Sequence, residues 1–186
     1  MNKMILSTFW RQNASKNIFN PFMMSRDNVS EKLPLKYTWV LWFHRFEDGK
    51  WDVKSYRQIF DFDNVIDFWR MQNNMPSVFS GMFFLMKKGI LPLYEDPQNI
   101  EGGIWSFRVQ KRNIAEVWND VLIHLVAGVL HPDLDDINGV SVNPRSAVLK
   151  LWTMTYDEST KNCPVTTKIR HLLPDKALFL KTKNGT

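Results

Sequence analysis

The chain has 186 residues, of which 44% are hydrophobic, and this is enough for one domain with a real core. Its single cysteine, Cys163, excludes an intramolecular disulfide framework and a zinc site built from several cysteines. No apolar run approaches the roughly 20 residues that span a bilayer, and the apolar stretch near the start is too short for a convincing secretory signal. The sequence therefore favours a soluble intracellular domain.

The net charge of +5 is concentrated at the two ends of the chain. Residues 1–26 contain four basic residues and no acidic one, and residues 161–186 contain six basic residues and one acidic one. We predict a flexible leader over 1–32, a folded domain over 33–180 and a basic tail over 181–186. For the leader, three interpretations stay open: a solvated tail, a segment that approaches phosphate groups, and an organelle-targeting peptide.

The first half of the folded region is predicted to contain two strands and a helix. The segment from Tyr37 to Phe46 is rich in aromatic and branched residues, which favours a strand, and both of its faces are apolar. Residues 47–50 form a turn signal. Asp63 is typical of a helix N-cap, and Pro76 ends the helix that follows. The segment from Val78 to Lys87 is the next predicted strand.

The second half is predicted to hold one long helix among several strands. An apolar stripe at helical spacing runs over 113–129, with Asn113 as a cap and Gly128 near the end. Strands outnumber helices without regular alternation, so we predict an α+β fold with an antiparallel sheet. The other predicted elements are loops at 91–103 and 131–138, strands at 104–110, 140–142, 148–155 and 177–180, and a short helix at about 162–172.

The sequence gives little support for an enzyme. Histidines occur at positions 44, 124, 131 and 171 without metal-binding spacing, and no P-loop, GxSxG or GxGxxG motif is present. Cys163 precedes a proline in a polar stretch and is interpreted as an incidental thiol rather than a nucleophile. We therefore predict no catalytic residue, no metal and no cofactor.

Two aromatic residues stand in polar loops, with no obvious core to join. Loop aromatics also plug the edges of a core, and this alternative stays open. Trp51 follows the turn at 47–50, and Tyr94 is followed directly by Glu95. Two such rings can enclose a flat base, because stacking on a base contributes about 1–3 kcal/mol. A cationic ring gains further from cation–π attraction, and a carboxylate accepts the two adjacent N–H donors on the edge of guanine.

Several motifs, in order along residues 33–174, resemble the eukaryotic translation initiation factor 4E family, which binds the messenger-RNA cap. They are Pro34-Leu35-x-x-x-Trp39-x-Leu41-Trp42-Phe43, Phe62-Asp63-x-Val65-x-Asp67-Phe68-Trp69, Gly89-Ile90-x-Pro92-x-Tyr94-Glu95-Asp96, Gly102-Gly103-x-Trp105, Gly139-Val140-x-Val142-Asn143-x-Arg145 and Leu151-Trp152-Thr153.

The resemblance implies a curved antiparallel sheet shaped like a cupped hand, with about three helices on its convex face. It implies that Trp51 and Tyr94 stack on 7-methylguanine and that Glu95 holds the guanine edge. By the same resemblance, Trp152 contacts the methyl group and Arg145 binds phosphate.

The resemblance also implies a protein-binding surface on the back of the sheet. Pro34, Val65 and Trp69 match the family surface that binds Tyr-x-x-x-x-Leu-hydrophobic peptides of scaffold or repressor proteins, and Asp120 stands where the family has an acidic residue. The expected partners are thus capped messenger RNA and one such protein, with the chain itself a cytoplasmic monomer that does not bind membranes.

The chain departs from the family pattern at several site positions. Tyr94 replaces a usual Trp, and Val148 stands where the family has a phosphate-binding lysine. Lys150 lies on the same strand face as Trp152 and is a candidate replacement, although a solvated surface lysine is an equal alternative. Leu33, Ile104 and Asn119 are further departures.

The leading hypothesis is a non-enzymatic cap-binding protein that takes part in translation initiation through a scaffold partner. The alternative is a divergent cap-binding paralogue that acts mainly as a translational repressor or interaction module. A hydrolase of nucleotides or caps is the third hypothesis, and the missing nucleophile–base pair and metal motif argue against it.

Overall fold

The computed structural model describes residues 33–75, 80–159, 163, 165, 173 and 177–182. Within them, seven strands form one antiparallel sheet in the order β2-β1-β3-β5-β6-β4-β7. This confirms the predicted α+β class with an antiparallel sheet. The strands are β1 (Pro34–Arg45), β2 (Tyr56–Asn64), β3 (Gly81–Lys87), β4 (Gly103–Arg108), β5 (Ile137–Asn143), β6 (Val148–Thr153) and β7 (Leu178–Lys181).

The described residues form two α-helices, α1 (Val65–Asn73) and α2 (Ile114–Val126), and two short 3-10 turns at Val53–Ser55 and Lys111–Asn113. The short helix predicted at about 162–172 falls almost entirely outside the described residues. So does the leader at 1–32, and the domain limits stay predictions.

Alternation along the central strands gives the sheet two different faces. On β1, Trp39 and Leu41 are buried in the main core, together with Phe68 of α1 and Trp118 of α2. Both helices therefore cover this face, which we call the helix face. Such burial contributes about 25 cal/mol per Å² of apolar surface and is the main force that holds helices and sheet together.

The opposite face carries a second and smaller apolar cluster. It contains Phe84, Met86, Ile104 and Trp152, with Trp42 and Tyr56 packed against it. We call it the aromatic face. Its rings come from β1, β2, β3 and β6, so it extends across most of the sheet. This division of β1 between two apolar faces is the one that its sequence predicts.

Strand β2 was not predicted, and its burial explains why. It lies at one edge of the sheet and pairs only with β1 in the described region. Most of its residues are exposed, including Ile59 and Phe60, so it lacks the clean polar and apolar alternation of a half-buried strand. Backbone pairing with β1, rather than side-chain burial, defines this element.

The N-cap of α1 differs from the prediction. Asn64, and not Asp63, caps α1: its Oδ1 accepts a hydrogen bond from the Asp67 backbone N–H at 2.9 Å. The Asn64 amide in turn donates to the Asp67 carboxylate at 2.6 Å, so the two side chains fix the first turn reciprocally. Asn113 occupies the N-cap position of α2, as predicted, although its side chain makes no capping hydrogen bond.

The remaining elements agree with the sequence prediction to within a few residues. Helix α2 ends at Val126, three residues early, and Gly128 follows with φ +69°, a conformation that favours glycine after a helix. Strand β3 begins at Gly81, and the predicted start at Val78 lies outside the described residues. The last strand is shifted by one residue, to Leu178–Lys181.

Candidate functional site

Trp51 lies in the loop between β1 and β2, above the aromatic face. Its side chain is 56% exposed, and its ring lies parallel to that of His44, with 4.3 Å between centroids and 2° between planes. The next residue, Asp52, fixes the loop by accepting hydrogen bonds from the backbone N–H groups of Lys54 and Ser55 at 2.9 and 3.1 Å. Trp51 is thus a loop residue outside both apolar clusters.

Tyr94 lies in the loop between β3 and β4, at the other side of the aromatic face. Its ring is stacked on Trp152, with 5.1 Å between centroids and 24° between planes, and it is 39% exposed. Lys150 donates a hydrogen bond to the Tyr94 hydroxyl at 2.7 Å. The ammonium is 5.3 Å from the ring centroid, so it lies beyond the hydroxyl and not over the ring face.

Two buried polar residues that the sequence analysis missed give this loop its shape. Asp96 accepts hydrogen bonds from the backbone N–H groups of Leu91 and Gln98, both at 2.9 Å. The Asn99 amide donates to the carbonyls of Leu91 and Leu93 at 2.9 and 2.8 Å. The sequence pattern that could have indicated this role is an Asp and an Asn three residues apart in a Pro-containing loop, since both side chains form hydrogen bonds with nearby backbone groups.

Glu95 is exposed, although its neighbour Asp96 is buried. The two adjacent carboxylates therefore differ in what they can do. Asp96 is fully engaged by backbone donors, and Glu95 stands at the surface beside Tyr94. Glu95 is thus the accessible carboxylate next to Tyr94. Glu101, at the far end of the same loop, is also exposed but forms an ion pair with Lys181 at 3.4 Å.

Tyr56 lies on the floor between the two loops, opposite His44 in the β1–β2 register. Burial raises the pKa of its phenol above the usual value of 10.0, and Tyr94 and Glu95 raise this pKa further. The hydroxyl therefore stays protonated at physiological pH and is available as a hydrogen-bond donor. Sequence reasoning missed Tyr56 because it missed strand β2.

Trp152 is only 2% exposed, and its Nε1–H donates to the Ser141 hydroxyl at 3.0 Å. It lies on β6 with Lys150 on the same strand face, as the sequence predicted, because Leu149 and Leu151 are buried on the helix face. The ring of Tyr94 lies against it.

Arg145 lies in the turn between β5 and β6 and is exposed. Its guanidinium is 4.2 Å from the ring centroid of Phe46, a cation–π contact that joins this turn to the loop that carries Trp51. The turn is held by Asn143, whose Oδ1 accepts from the Ser146 backbone N–H at 3.2 Å. Arg145 thus lies beside the loop that carries Trp51, and Lys150 lies beside Tyr94.

The residues expected to bind a protein partner lie at α1, α2 and the start of β1. Pro34 pairs with Asn64, and the Val65 N–H donates to the carbonyl of Leu33 at 2.9 Å. Trp69 follows one helical turn later and is half-buried, with its ring 5.2 Å from that of Phe68. Gln72 of α1 donates to Asn119 of α2 at 2.7 Å, which brings Asp120 to the same region.

Two other kinds of site are absent from the described part of the chain. It contains no group of three or more His, Cys, Asp or Glu side chains suited to a metal ion. Across the same residues, no helix has the length and apolarity to cross a membrane.

In the described part of the chain, a seven-stranded antiparallel sheet has helices on one face and exposed loop aromatics on the other, which makes this an α+β protein. Comparison with known proteins then names its family. The family model for Eukaryotic initiation factor 4E matches residues 34–183. The chain belongs to the eukaryotic initiation factor 4E family.

Among similar proteins, eukaryotic translation initiation factor 4E-1A of Danio rerio is 32% identical over 136 residues, which are 68% of this chain and 63% of the relative. The chain therefore spans just under two thirds of the length of that relative.

Two solved structures support the same assignment. Ascaris suum eIF4E-3 in complex with an m7G cap has a TM-score of 0.63 and 27% identity, covering 69% of this chain and 77% of the other. Caenorhabditis elegans eIF4E-3, in complex with the 4E-binding protein Mextli and a cap analogue, has a TM-score of 0.60 and 30% identity, covering 66% of this chain and 74% of the other.

Proposed function

We propose that this protein binds the 7-methylguanosine cap of messenger RNA and takes part in translation initiation through a scaffold protein. One observation carries the proposal: two exposed aromatic residues, Trp51 and Tyr94, stand on loops over one face of the sheet, and an exposed carboxylate follows the second of them. The solved complexes of a relative with an m7G cap and with an m2,2,7G cap support it.

In this mechanism the methylated base inserts between Trp51 and Tyr94. Methylation at N7 makes the guanine cationic, and its attraction to two ring faces adds on the order of 1–2 kcal/mol over simple stacking. The Glu95 carboxylate accepts from the N1–H and N2–H₂ donors of the guanine edge. No bond is made or broken, so the proposed role is non-enzymatic.

The stack of Tyr94 on Trp152 has a consequence for this mechanism. In its present position the Tyr94 ring covers the Trp152 surface that is proposed to contact the methyl group. We infer that Tyr94 rotates away from Trp152, and gives up its hydrogen bond with Lys150, when the base enters. The released Lys150 ammonium then joins Arg145 in binding the triphosphate.

The partner-binding part of the proposal concerns the helix face. Pro34, Val65, Trp69 and Asp120 are proposed to bind a Tyr-x-x-x-x-Leu-hydrophobic peptide from a scaffold or repressor protein. Relatives solved with Mextli and with 4E-BP support a protein partner. We further propose a cytoplasmic protein with a flexible leader over 1–32, a cap-binding domain over 33–180 and a basic tail over 181–186.

Titration of tryptophan fluorescence with cap analogues tests the proposed function. The wild-type protein is expected to bind 7-methyl-GTP roughly five- to thirtyfold more tightly than GTP. The Trp51→Ala variant should lose most of this binding and remain folded. Arg145→Ala should weaken a triphosphate cap analogue more than a monophosphate one, since it removes a phosphate contact. Equal affinity of the wild type for 7-methyl-GTP and GTP would refute the proposal.

A further inference from the structure

His44 is a buried polar side chain to which the cap-binding mechanism so far gives no role. It is the second-last residue of β1, its ring lies on the aromatic face, and its exposure is only 1%. Histidine is intermediate in its tendency to be buried, so a fully buried ring at the edge of a ligand site calls for a reason.

The ring of His44 is fixed by the loop that carries Trp51. Its Nε2 lies 2.8 Å from the carbonyl oxygen of Lys50. Because a carbonyl oxygen can only accept, Nε2 carries the hydrogen and donates it. Nδ1 is buried and has no hydrogen-bond partner within the described residues. Among the described residues, the single hydrogen bond of the imidazole is therefore with the backbone of the residue directly before Trp51.

The same ring also supports the Trp51 side chain. The two rings are parallel to within 2° at 4.3 Å, and Tyr56 braces both, with centroids 4.8 Å from His44 and 6.4 Å from Trp51. One face of the indole is thus covered by protein, and the other remains available because 56% of the side chain is exposed. His44 holds the backbone before Trp51 and the plane of its ring at once.

We propose that His44 is a positioning residue that sets the plane of Trp51 before the ligand arrives, so that a purine stacks on the free indole face. This inference rests on the proposed cap-binding function. A Trp51 ring that is already oriented loses less conformational freedom when the base binds. Removal of the His44 ring is therefore expected to weaken base stacking on Trp51 and to leave the phosphate contacts unchanged. His44 touches no part of the ligand in this account and acts through Trp51.

Three variants separate the parts of this role. His44→Leu removes both the aromatic face and the donor, whereas His44→Phe keeps the face and removes only the donor. His124→Leu is the matched control, because His124 of α2 also bonds a backbone carbonyl, that of Asp120 at 2.7 Å, yet belongs to the helix. Should His44→Leu fail to fold, His44→Gln removes the aromatic face and keeps a donor.

The first measurement needs no ligand. The protein is labelled with 5-fluorotryptophan, and the Trp51 resonance is assigned by its loss in Trp51→Phe. We expect His44→Leu to shift this fluorine resonance towards the value of free 5-fluorotryptophan, His44→Phe to shift it less, and His124→Leu to leave it in place. An unshifted Trp51 resonance in His44→Leu overturns the inference.

The second measurement is cap affinity with the same variants. We expect His44→Leu to weaken 7-methyl-GTP and 7-methyl-GMP by the same factor, roughly three- to tenfold, and His44→Phe to recover at least half of the loss. In a Trp51→Ala background, His44→Leu should cause no further loss. An unchanged affinity in His44→Leu, or a loss that persists without Trp51, overturns the positioning role.

The two arms also distinguish this inference from the proposed function. A wild-type protein that does not prefer 7-methyl-GTP over GTP refutes the cap-binding proposal, and the fluorine resonance still decides whether His44 sets the plane of Trp51. If the wild type prefers 7-methyl-GTP but the Trp51 resonance does not change in His44→Leu, the proposed function stands and the inference about His44 is overturned.

Discussion

At the scale of single residues, the adjacent carboxylates of Glu95 and Asp96 in the loop between β3 and β4 have different roles. Asp96 accepts two backbone hydrogen bonds inside the loop, and Glu95 is left at the surface beside Tyr94. The sequence indicated Glu95 through the family resemblance. It did not indicate the structural role of Asp96, because that role depends on how the loop folds back on itself.

Glu95→Gln is predicted to weaken 7-methyl-GTP binding by about ten- to a hundredfold, because a charge-assisted hydrogen bond to the guanine edge is replaced by a weaker one. Calorimetric titration measures the affinity. The matched variant Asp96→Asn should instead lower the melting temperature, since it leaves one backbone N–H of the loop without its acceptor. If Glu95→Gln costs stability and not affinity, Glu95 is a structural residue.

At the scale of elements, apolar periodicity predicted what is buried and missed what is exposed. The apolar stripe of α2 and the two apolar faces of β1 could be predicted, because burial imposes a regular spacing of apolar residues on the sequence. The exposed edge strand β2 has no such period. The contact between Tyr94 and Trp152 could not be predicted either, because tertiary folding brings together two residues that are distant in the chain.

The cap of α1 gives a matched pair of variants. Asn64→Ala is predicted to lower the free energy of unfolding by about 1–2 kcal/mol, because it removes both the acceptor for the Asp67 N–H and the donor to the Asp67 carboxylate. Asp63→Ala, one residue earlier, should cost less than about 0.5 kcal/mol. Urea denaturation compares the two. A larger loss from Asp63→Ala would return the capping role to Asp63.

The end of β3 provides a prediction about pH. Lys87 donates to the carbonyls of Leu134 and Asp135 at 3.0 and 2.9 Å, and burial, helped by the nearby Lys36, lowers its pKa from 10.5 to about 8. Between those two values the unfolded chain binds more protons than the folded one, so this lysine makes folding stability rise with pH.

The comparison of wild type with Lys87→Met isolates this effect from other titrating groups. The free energy of unfolding of the wild type, relative to that of Lys87→Met, should increase from pH 8 to pH 10 and stay level from pH 6 to pH 7. Urea denaturation at each pH gives the difference. A relative stability that falls above pH 8 would show that the folded state holds the proton more tightly than the unfolded one.

At the scale of the whole molecule, the sheet separates two proposed binding surfaces. The loop rings proposed for cap binding, Trp51 and Tyr94, stack on His44 and Trp152 at the aromatic face. Trp69 packs against the core of the helix face. The division follows from strand alternation, which directs neighbouring side chains to opposite sides of one sheet. The overall fold was therefore predictable from motifs and period, whereas the present positions of the loop rings were not.

Trp69→Ala is predicted to weaken binding of a Tyr-x-x-x-x-Leu-hydrophobic peptide by more than about thirtyfold, because a half-buried Trp is a typical interface anchor. Its affinity for 7-methyl-GTP should stay within about twofold of wild type, since additivity holds for distant sites. Trp51→Ala should do the reverse. Loss of both activities in Trp69→Ala, together with a fall in melting temperature, would make Trp69 a core residue only.

The most direct test of the aromatic sandwich is an experimental structure of the protein with 7-methyl-GTP bound. We expect the methylated base between the rings of Trp51 and Tyr94, with Glu95 at hydrogen-bond distance from guanine N1 and N2. Tyr94 should have left Trp152, and the methyl group should lie against the uncovered Trp152 ring. A complex in which Tyr94 remains stacked on Trp152 and the base lies outside the two loops would contradict the account.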